Sequence, residues 1–112
     1  MSGTQFPLRK VSVTINGSAT SPEVNLSGMT LVGIETPSGI SGSSMTITCA
    51  TTTGGTFVTA KDKSGNDFTL TIVASKRYIL SPADTRGFDF IKLVSSASET
   101  NKTFTLICSQ IA

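Results

Sequence analysis

Serine and threonine are the most abundant side chains with reactive groups, at 34 of 112 residues. A serine nucleophile needs a neighbouring base, usually histidine, and the sequence contains no histidine. A serine–lysine pair remains formally open, but no motif supports one. Paired carboxylates of the glycosidase type need a defined separation, and the spacing selects neither Asp84 with Asp89 nor Glu23 with Glu35. We therefore expect a protein that is not an enzyme.

The run at residues 62–67 (DKSGND) has the composition of a calcium-binding loop. Carboxylate and amide oxygens are the ligands that calcium prefers, but the glutamate that closes such loops is missing. A polar turn in which Gly65 takes a positive φ explains the run without a metal. We favour the turn and expect neither a metal nor a cofactor.

Two groups of residues are candidates for binding a partner. Lys76, Arg77 and Tyr78 form one group, because arginine can hold a carboxylate or phosphate through two N–H groups; a solvated loop at a strand entry is the other interpretation. Phe6 and Leu8 are apolar side chains in an otherwise polar terminal segment. We expect them to anchor an arm on a neighbouring subunit, in preference to a disordered terminus.

Cys49 and Cys108 each lie inside an apolar alternating run. We favour two free thiols that pack as small hydrophobic groups over a disulfide, because nothing marks the chain as secreted. Residues 1–7 lack the apolar run of a signal peptide. No stretch approaches the roughly 20 apolar residues of a membrane span.

Charge is sparse: 14% of residues are charged and the net charge is +2. Soluble domains usually carry about 25% charged residues. The nine basic residues are scattered among acidic ones, whereas nucleic-acid binders concentrate charge on one face and interleave aromatic residues. A nucleic-acid role is therefore not expected, and so neutral a surface suits a protein that stays docked on another.

Apolar and polar residues alternate in short segments, which is the pattern of half-buried strands. The clearest are residues 9–15, 44–50, 67–74 and 103–110. We expect a hairpin of residues 56–61 and 67–74 around the polar turn, and one turn of 3₁₀ helix within residues 83–87. Phe88 and Phe90 fall on one side of an extended segment and are expected in the core, since a sugar platform would need an exposed ring.

About eight strands at intervals near ten residues predict an all-β sandwich or barrel. A two-sheet antiparallel jelly roll is our first choice. An immunoglobulin-like sandwich is second, because the sequence has no tryptophan to fill such a core. We expect an N-terminal arm at residues 1–8 and a single β-sandwich domain at residues 9–112.

Three segments carry a resemblance to a known class of proteins: residues 26–37 (LSGMTLVGIETP), 78–84 (YILSPAD) and 87–95 (GFDFIKLVS). Over residues 24–110 the chain resembles the small β-sandwich structural proteins of tailed-bacteriophage virions, of the capsid cement or decoration type. The resemblance brings no catalytic residues.

The resemblance implies a non-enzymatic decoration subunit that binds and stabilises the shell of major capsid protein. Its expected partners are that shell protein and copies of itself, as a dimer or trimer, with no nucleic acid and no membrane. The expected location is the capsid surface, after synthesis in the host cytoplasm. The alternative is a carbohydrate- or receptor-binding module of a head fibre or tail appendage, with a host surface glycan as partner.

Overall fold

The computed structural model describes residues 8–110. Strands form wherever apolar and polar residues alternate, because one face of each strand packs inward and the other meets water. The elements in chain order are β1 (Leu8–Ile15), β2 (Ser18–Thr20), β3 (Val24–Asn25), β4 (Thr30–Glu35), β5 (Ser44–Ala50), β6 (Val58–Thr59), β7 (Thr69–Thr71), β8 (Arg77–Ile79), α1 (Pro82–Thr85), β9 (Phe90–Glu99) and β10 (Lys102–Ser109). No helix in the described part of the chain is long and apolar enough to cross a membrane.

Two antiparallel sheets make up the fold, which confirms the predicted β-sandwich. One sheet has the order β1-β10-β4-β8; the other has the order β2-β9-β5-β6, with β3 also on β9 and β7 also on β5. The pairing is nested: β1 with β10, β2 and β3 with β9, β4 with β8, and β5 with β6 and β7. A long hairpin wrapped in this way into two sheets is a jelly roll.

Two of the ten strands are continuations of others, so the sandwich has eight strand positions. β2 and β3 both run antiparallel to β9, one after the other. β6 and β7 both run antiparallel to β5. Each pair is thus one outer strand with an interruption, and the prediction of about eight strands holds in this sense.

The core lies between the sheets and is filled by the inward-facing residues of every long strand. The largest fully buried apolar side chains are Ile15, Leu26, Leu31, Ile34, Met45, Ile47, Ile72, Ile91, Leu93, Phe104 and Leu106. Phe88 is buried among them and meets Phe68 edge to face, with ring centroids 5.6 Å apart. Phe90 is only half-buried and is not part of this core, so the expectation was right for Phe88 and wrong for Phe90.

A buried carboxylate fastens the connection between β4 and β5. Glu99, at the end of β9, is fully buried. It accepts hydrogen bonds from the N–H groups of Ser41 (2.8 Å) and Gly42 (2.9 Å) and from the hydroxyl of Ser95 (2.7 Å). Burial would raise the pKa of Glu99, but these hydrogen bonds outweigh it and lower the pKa from its ordinary value.

The predicted hairpin of residues 56–61 and 67–74 forms only at its tip, next to the polar turn. A single bridge, Lys61 to Asp67, joins the two segments, and both β6 and β7 pair with β5 instead. The polar residues between them form a loop that leaves the outer strand and returns to it. Pairing with β5 prevails over pairing between the two segments because each segment forms a longer ladder with β5 than with the other.

Two boundaries also differ from the prediction. Leu8, assigned to the arm, is the first residue of β1; the rest of that arm lies outside the described residues. The predicted 3₁₀ turn is a four-residue α-helix, Pro82–Thr85, that begins with proline at its first turn, where proline's missing N–H costs nothing.

Candidate functional site

An apolar groove crosses the outer face of the sheet β1-β10-β4-β8 and has a volume of about 270 Å³. Two of its large apolar side chains are strongly exposed: Leu8 on β1 is 58% exposed and Ile79 on β8 is 77% exposed. These residues stand on the two outermost strands of the sheet. The complete lining is Leu8, Val32, Gly33, Arg77, Ile79, Leu80, Pro82 and Ile107.

A glycine gives the groove its floor. Lys10, Ile107, Gly33 and Ile79 are successive register partners across the four strands. A Cβ on Gly33 would lie 3.2 Å from the carbonyl oxygen of Tyr78 and 3.4 Å from Cβ of Ile107. The absent side chain therefore lets the strands approach closely and leaves a depression between two isoleucines.

An irregularity in the sheet adds Val32 to the lining. The register between β10 and β4 shifts at Ile107/Cys108, so that Ile107 pairs with Gly33 but Cys108 pairs with Leu31. Val32 is left over in the ladder, as in a β-bulge, and such bulges redirect side chains. Here the result is an extra apolar wall beside the floor.

The helix α1 closes one end of the groove and is tied to β4. Thr85 is fully buried and donates a hydrogen bond from its hydroxyl to the carbonyl of Leu31 at 2.5 Å. The N–H of Leu80 donates to the carbonyl of Val32 at 2.9 Å. These two bonds hold Pro82 and Leu80 against the sheet.

Arg77 lines the groove but is already paired. Its Nε lies 2.6 Å and its Nη2 2.5 Å from Oε2 of Glu35, the residue opposite it on β4. A half-exposed ion pair of this kind stabilises a fold little. It fixes the direction of the guanidinium, which is not presented alone to an incoming anion.

The predicted partner-binding residues separate in the structure. Leu8 and Arg77 line the groove together. Tyr78 packs against the core instead, and its hydroxyl accepts a hydrogen bond from the N–H of Val73 at 2.7 Å. The carbonyl of Lys76 accepts a hydrogen bond from the N–H of Thr36, and the N–H of Lys76 donates to the hydroxyl of Thr36. Phe6 lies outside the described residues.

Sequence reasoning missed the residues that make the groove, above all Gly33 and Ile107. Ile107 alternates along β10 with the core residues Leu106 and Cys108 and so lies on the outer face, yet it is almost fully buried there. A single apolar residue on a polar strand face was the available signal. That this residue would form part of a groove could not be inferred without knowing that Gly33 of β4 lies beside it.

A second groove, larger at about 520 Å³, lies between the 61–67 loop and α1 and shares Ile79 and Leu80 with the first. Three carboxylates line it: Asp62, Asp67 and Asp84. Asp62 accepts bonds from two main-chain N–H groups of its own turn, and Asp67 pairs with Lys61. Within residues 8–110 no cluster of acidic or cysteine side chains has the arrangement of a metal site.

The carboxylates considered as catalytic pairs in the sequence, Glu23 with Glu35 and Asp84 with Asp89, do not come together in the structure. Glu23 accepts hydrogen bonds from the hydroxyl of Thr53 (2.5 Å) and the N–H of Gly54 (2.8 Å), and these bonds lower its pKa. Glu35 pairs with Arg77, so the two glutamates belong to different networks. Asp84 lines the polar groove, whereas Asp89 lines a separate depression beside Cys49.

Both cysteines are free thiols. Burial raises the pKa of Cys108, and burial together with the charge of Asp89 raises that of Cys49. The thiolate is the nucleophilic form of cysteine. Neither side chain is therefore activated.

Comparisons of the chain with protein-family models, with curated proteins and with solved structures find no match.

Proposed function

We propose that this chain is a non-enzymatic structural protein of a bacteriophage virion, a capsid cement or decoration subunit that binds and stabilises the shell of major capsid protein. The sequence resemblance over residues 24–110 supports this assignment. The observation that carries it is the apolar groove, where Leu8 and Ile79 stand exposed on one sheet face.

The groove suits a protein partner. A few apolar side chains seated in a pocket usually supply most of the energy of an interface. Burying one exposed leucine or isoleucine contributes roughly 1.5–3 kcal/mol. A shell repeats the same surface many times, so modest contacts per subunit add up when decoration subunits are linked to one another.

Binding of the purified chain to shells of the encoding virus that lack it tests the proposal. We expect Ile79→Ser to weaken binding by about 10- to 100-fold, the cost of one buried apolar side chain. Val58→Ser is the matched control, because Val58 is 59% exposed on the other sheet. Equal binding by the wild type and Ile79→Ser would contradict the role of the groove.

A carbohydrate-binding module of a head fibre or tail appendage is the second candidate. The observation in its favour is the groove beside the 61–67 loop, where Asp84 and neighbouring hydroxyls offer acceptors for sugar hydroxyl groups. NMR titration of the isolated chain with host surface glycans tests it. Shifts confined to this groove would support the second candidate, and their absence would remove it.

A further inference from the structure

We infer that two copies of this chain associate edge to edge through β1, so that two sandwiches share one eight-stranded antiparallel sheet. The inference goes beyond shell binding and does not depend on it, since it concerns the purified chain alone. It rests on the edges of the two sheets, on the direction of main-chain groups along β1 and on the charges of that strand.

Three of the four sheet edges are short or interrupted. β8 has three residues, the β2/β3 edge is broken at residues 21–23, and the β6/β7 edge is broken by the loop at residues 61–67. β1 is different, with eight consecutive residues in a regular ladder on one side. Proteins commonly shorten, break or cover edges that must not pair, and of the four edges β1 is the one that offers a partner strand a long ladder.

Alternation of hydrogen bonds shows which residues of β4 face which neighbour. The N–H of Leu80 donates to Val32, and the N–H of Thr36 donates to Lys76. Even-numbered residues of β4 therefore bond to β8, and odd-numbered ones such as Gly33 bond to β10, because successive residues of an antiparallel strand point to opposite sides.

The same alternation carries across to the outer strand. Odd-numbered residues of β10 face β4, so Phe104 and Leu106 face β1, opposite Val13 and Val11. The odd-numbered residues of β1 thus bond to β10. Four residues direct their main-chain N–H and C=O groups away from the sheet: Leu8, Lys10, Ser12 and Thr14.

Symmetry and charge select one pairing for two such edges. A two-fold axis at Val11 sets Lys10 opposite Ser12 of the second copy and Leu8 opposite Thr14, and it uses all four outward-facing residues. An axis at Lys10 would set lysine against lysine, which destabilises a cross-strand pair. An axis at Ser12 would use only three of the four outward-facing residues.

The same pairing also covers an apolar side chain. Val11 packs against the core but remains partly exposed beside the open edge. With the axis at this residue, Val11 of one copy lies against Val11 of the other. The edge is thus complementary to itself in hydrogen bonding and apolar contact, as a two-fold interface requires, and this register keeps the two copies of Lys10 from lying directly opposite each other.

Light scattering and native mass spectrometry of the full chain test the association. We expect a species of twice 11.6 kDa. Ser12→Pro removes one outward-facing N–H per copy, at an edge position where proline is tolerated, and should raise the dimer Kd at least about tenfold. Ser12→Ala keeps the N–H and should leave Kd unchanged. A wild type that is monomeric up to about 1 mM, or a folded Ser12→Pro chain that dimerises as well as Ser12→Ala, overturns the inference.

Cross-linking tests the register independently. Directly opposite residues of a non-hydrogen-bonded pair have Cα atoms about 4.5 Å apart, within the span of a disulfide. In a background with Cys49→Ala and Cys108→Ala, Val11→Cys should therefore form a disulfide-linked dimer on mild oxidation, and faster than Ser12→Cys. Equal or faster cross-linking of the more exposed Ser12→Cys overturns the proposed pairing.

Discussion

At the scale of single residues, Glu99 shows how a charged group can serve a purely structural role. Its carboxylate is out of contact with water and bound by two N–H groups and a hydroxyl. Since buried polar groups cost free energy unless they are paired, the carboxylate and the connection at Ser41 and Gly42 depend on each other. The feature could not be predicted, because the sequence shows only a glutamate near a turn.

Replacing this carboxylate should destabilise the fold. We expect Glu99→Gln to lower the free energy of unfolding at pH 7 by about 1–3 kcal/mol, because an amide cannot accept all three bonds. Urea denaturation at pH 7 measures the difference. Thr100→Gln, a neighbouring exposed position, is the control and should change stability little.

The difference in stability between the wild type and Glu99→Gln should depend on pH in one direction. The pKa of Glu99 is lowered in the folded state, so its stabilisation is complete above the unfolded pKa of about 4.3 and is lost as the pH falls through the folded value. The stability gap between the wild type and Glu99→Gln should therefore shrink below about pH 4. A gap that is constant from pH 7 to acid would contradict this role.

Gly42 is a further residue fixed by the same cluster. A Cβ at this position would lie 2.1 Å from the hydroxyl oxygen of Ser95 and 3.2 Å from a carboxylate oxygen of Glu99. Gly42→Ala should therefore cost about 1–3 kcal/mol of stability. Gly87→Ala is the control, since its Cβ would meet nothing within 4 Å. Thermal denaturation that ranks the two variants equally would refute the argument.

At the scale of elements, the alternation of apolar and polar residues predicts where strands lie but not which strands pair with each other. Residues 44–50 were predicted as a strand and are one, because the pattern is local. The 56–61 and 67–74 hairpin is limited to its tip because the rest of both segments pairs with β5. Sequence alone does not show whether a segment will pair with a distant strand or with an adjacent one. The groove was missed for the same reason: Leu8 and Arg77 were predicted separately, and only the sheet order brings them together.

The interruption between β6 and β7 should be replaceable. The N–H of Asp62 donates to the carbonyl of Asn66, so these two residues form the hydrogen-bonded pair that must flank a two-residue turn. Residues 63–65 between them can therefore give way to Asn-Gly, the preferred turn of that length. We expect the shortened chain to fold with a free energy of unfolding within about 1 kcal/mol of the original, by urea denaturation. Replacement by Val-Val, which resists the required positive φ, is the control and should destabilise it.

At the scale of the whole molecule, the low charge bears on how the proposed attachment to a shell would work. The net charge is +2. The described residues form two ion pairs at the surface, Lys61–Asp67 and Arg77–Glu35, in which each charge is already paired within the chain. The proposed attachment through the groove would therefore draw on apolar burial, which salt does not screen. The two-sheet architecture could be predicted from composition and strand spacing. The groove could not, because it exists only where distant strands lie side by side.

Shell binding should accordingly depend little on ionic strength. Between about 0.05 and 0.5 M NaCl, where the Debye length shortens from roughly 14 to 4 Å, we expect the apparent Kd to change less than about threefold. Sedimentation of the chain with shells at each salt concentration measures this. A steep loss of binding in salt would identify charged contacts as the main attachment.

The pairing of β1 with β10 has a consequence for biosynthesis. The first described strand and β4 are neighbours only through the last strand, which supplies the ladder for both. During translation β1 and β4 cannot be joined into one sheet until residues 102–109 have left the ribosome, and such distant contacts form slowly. A nascent chain that stops short of residue 102 would hold β1 and β4 apart, exposing their apolar faces to every other unfinished copy nearby.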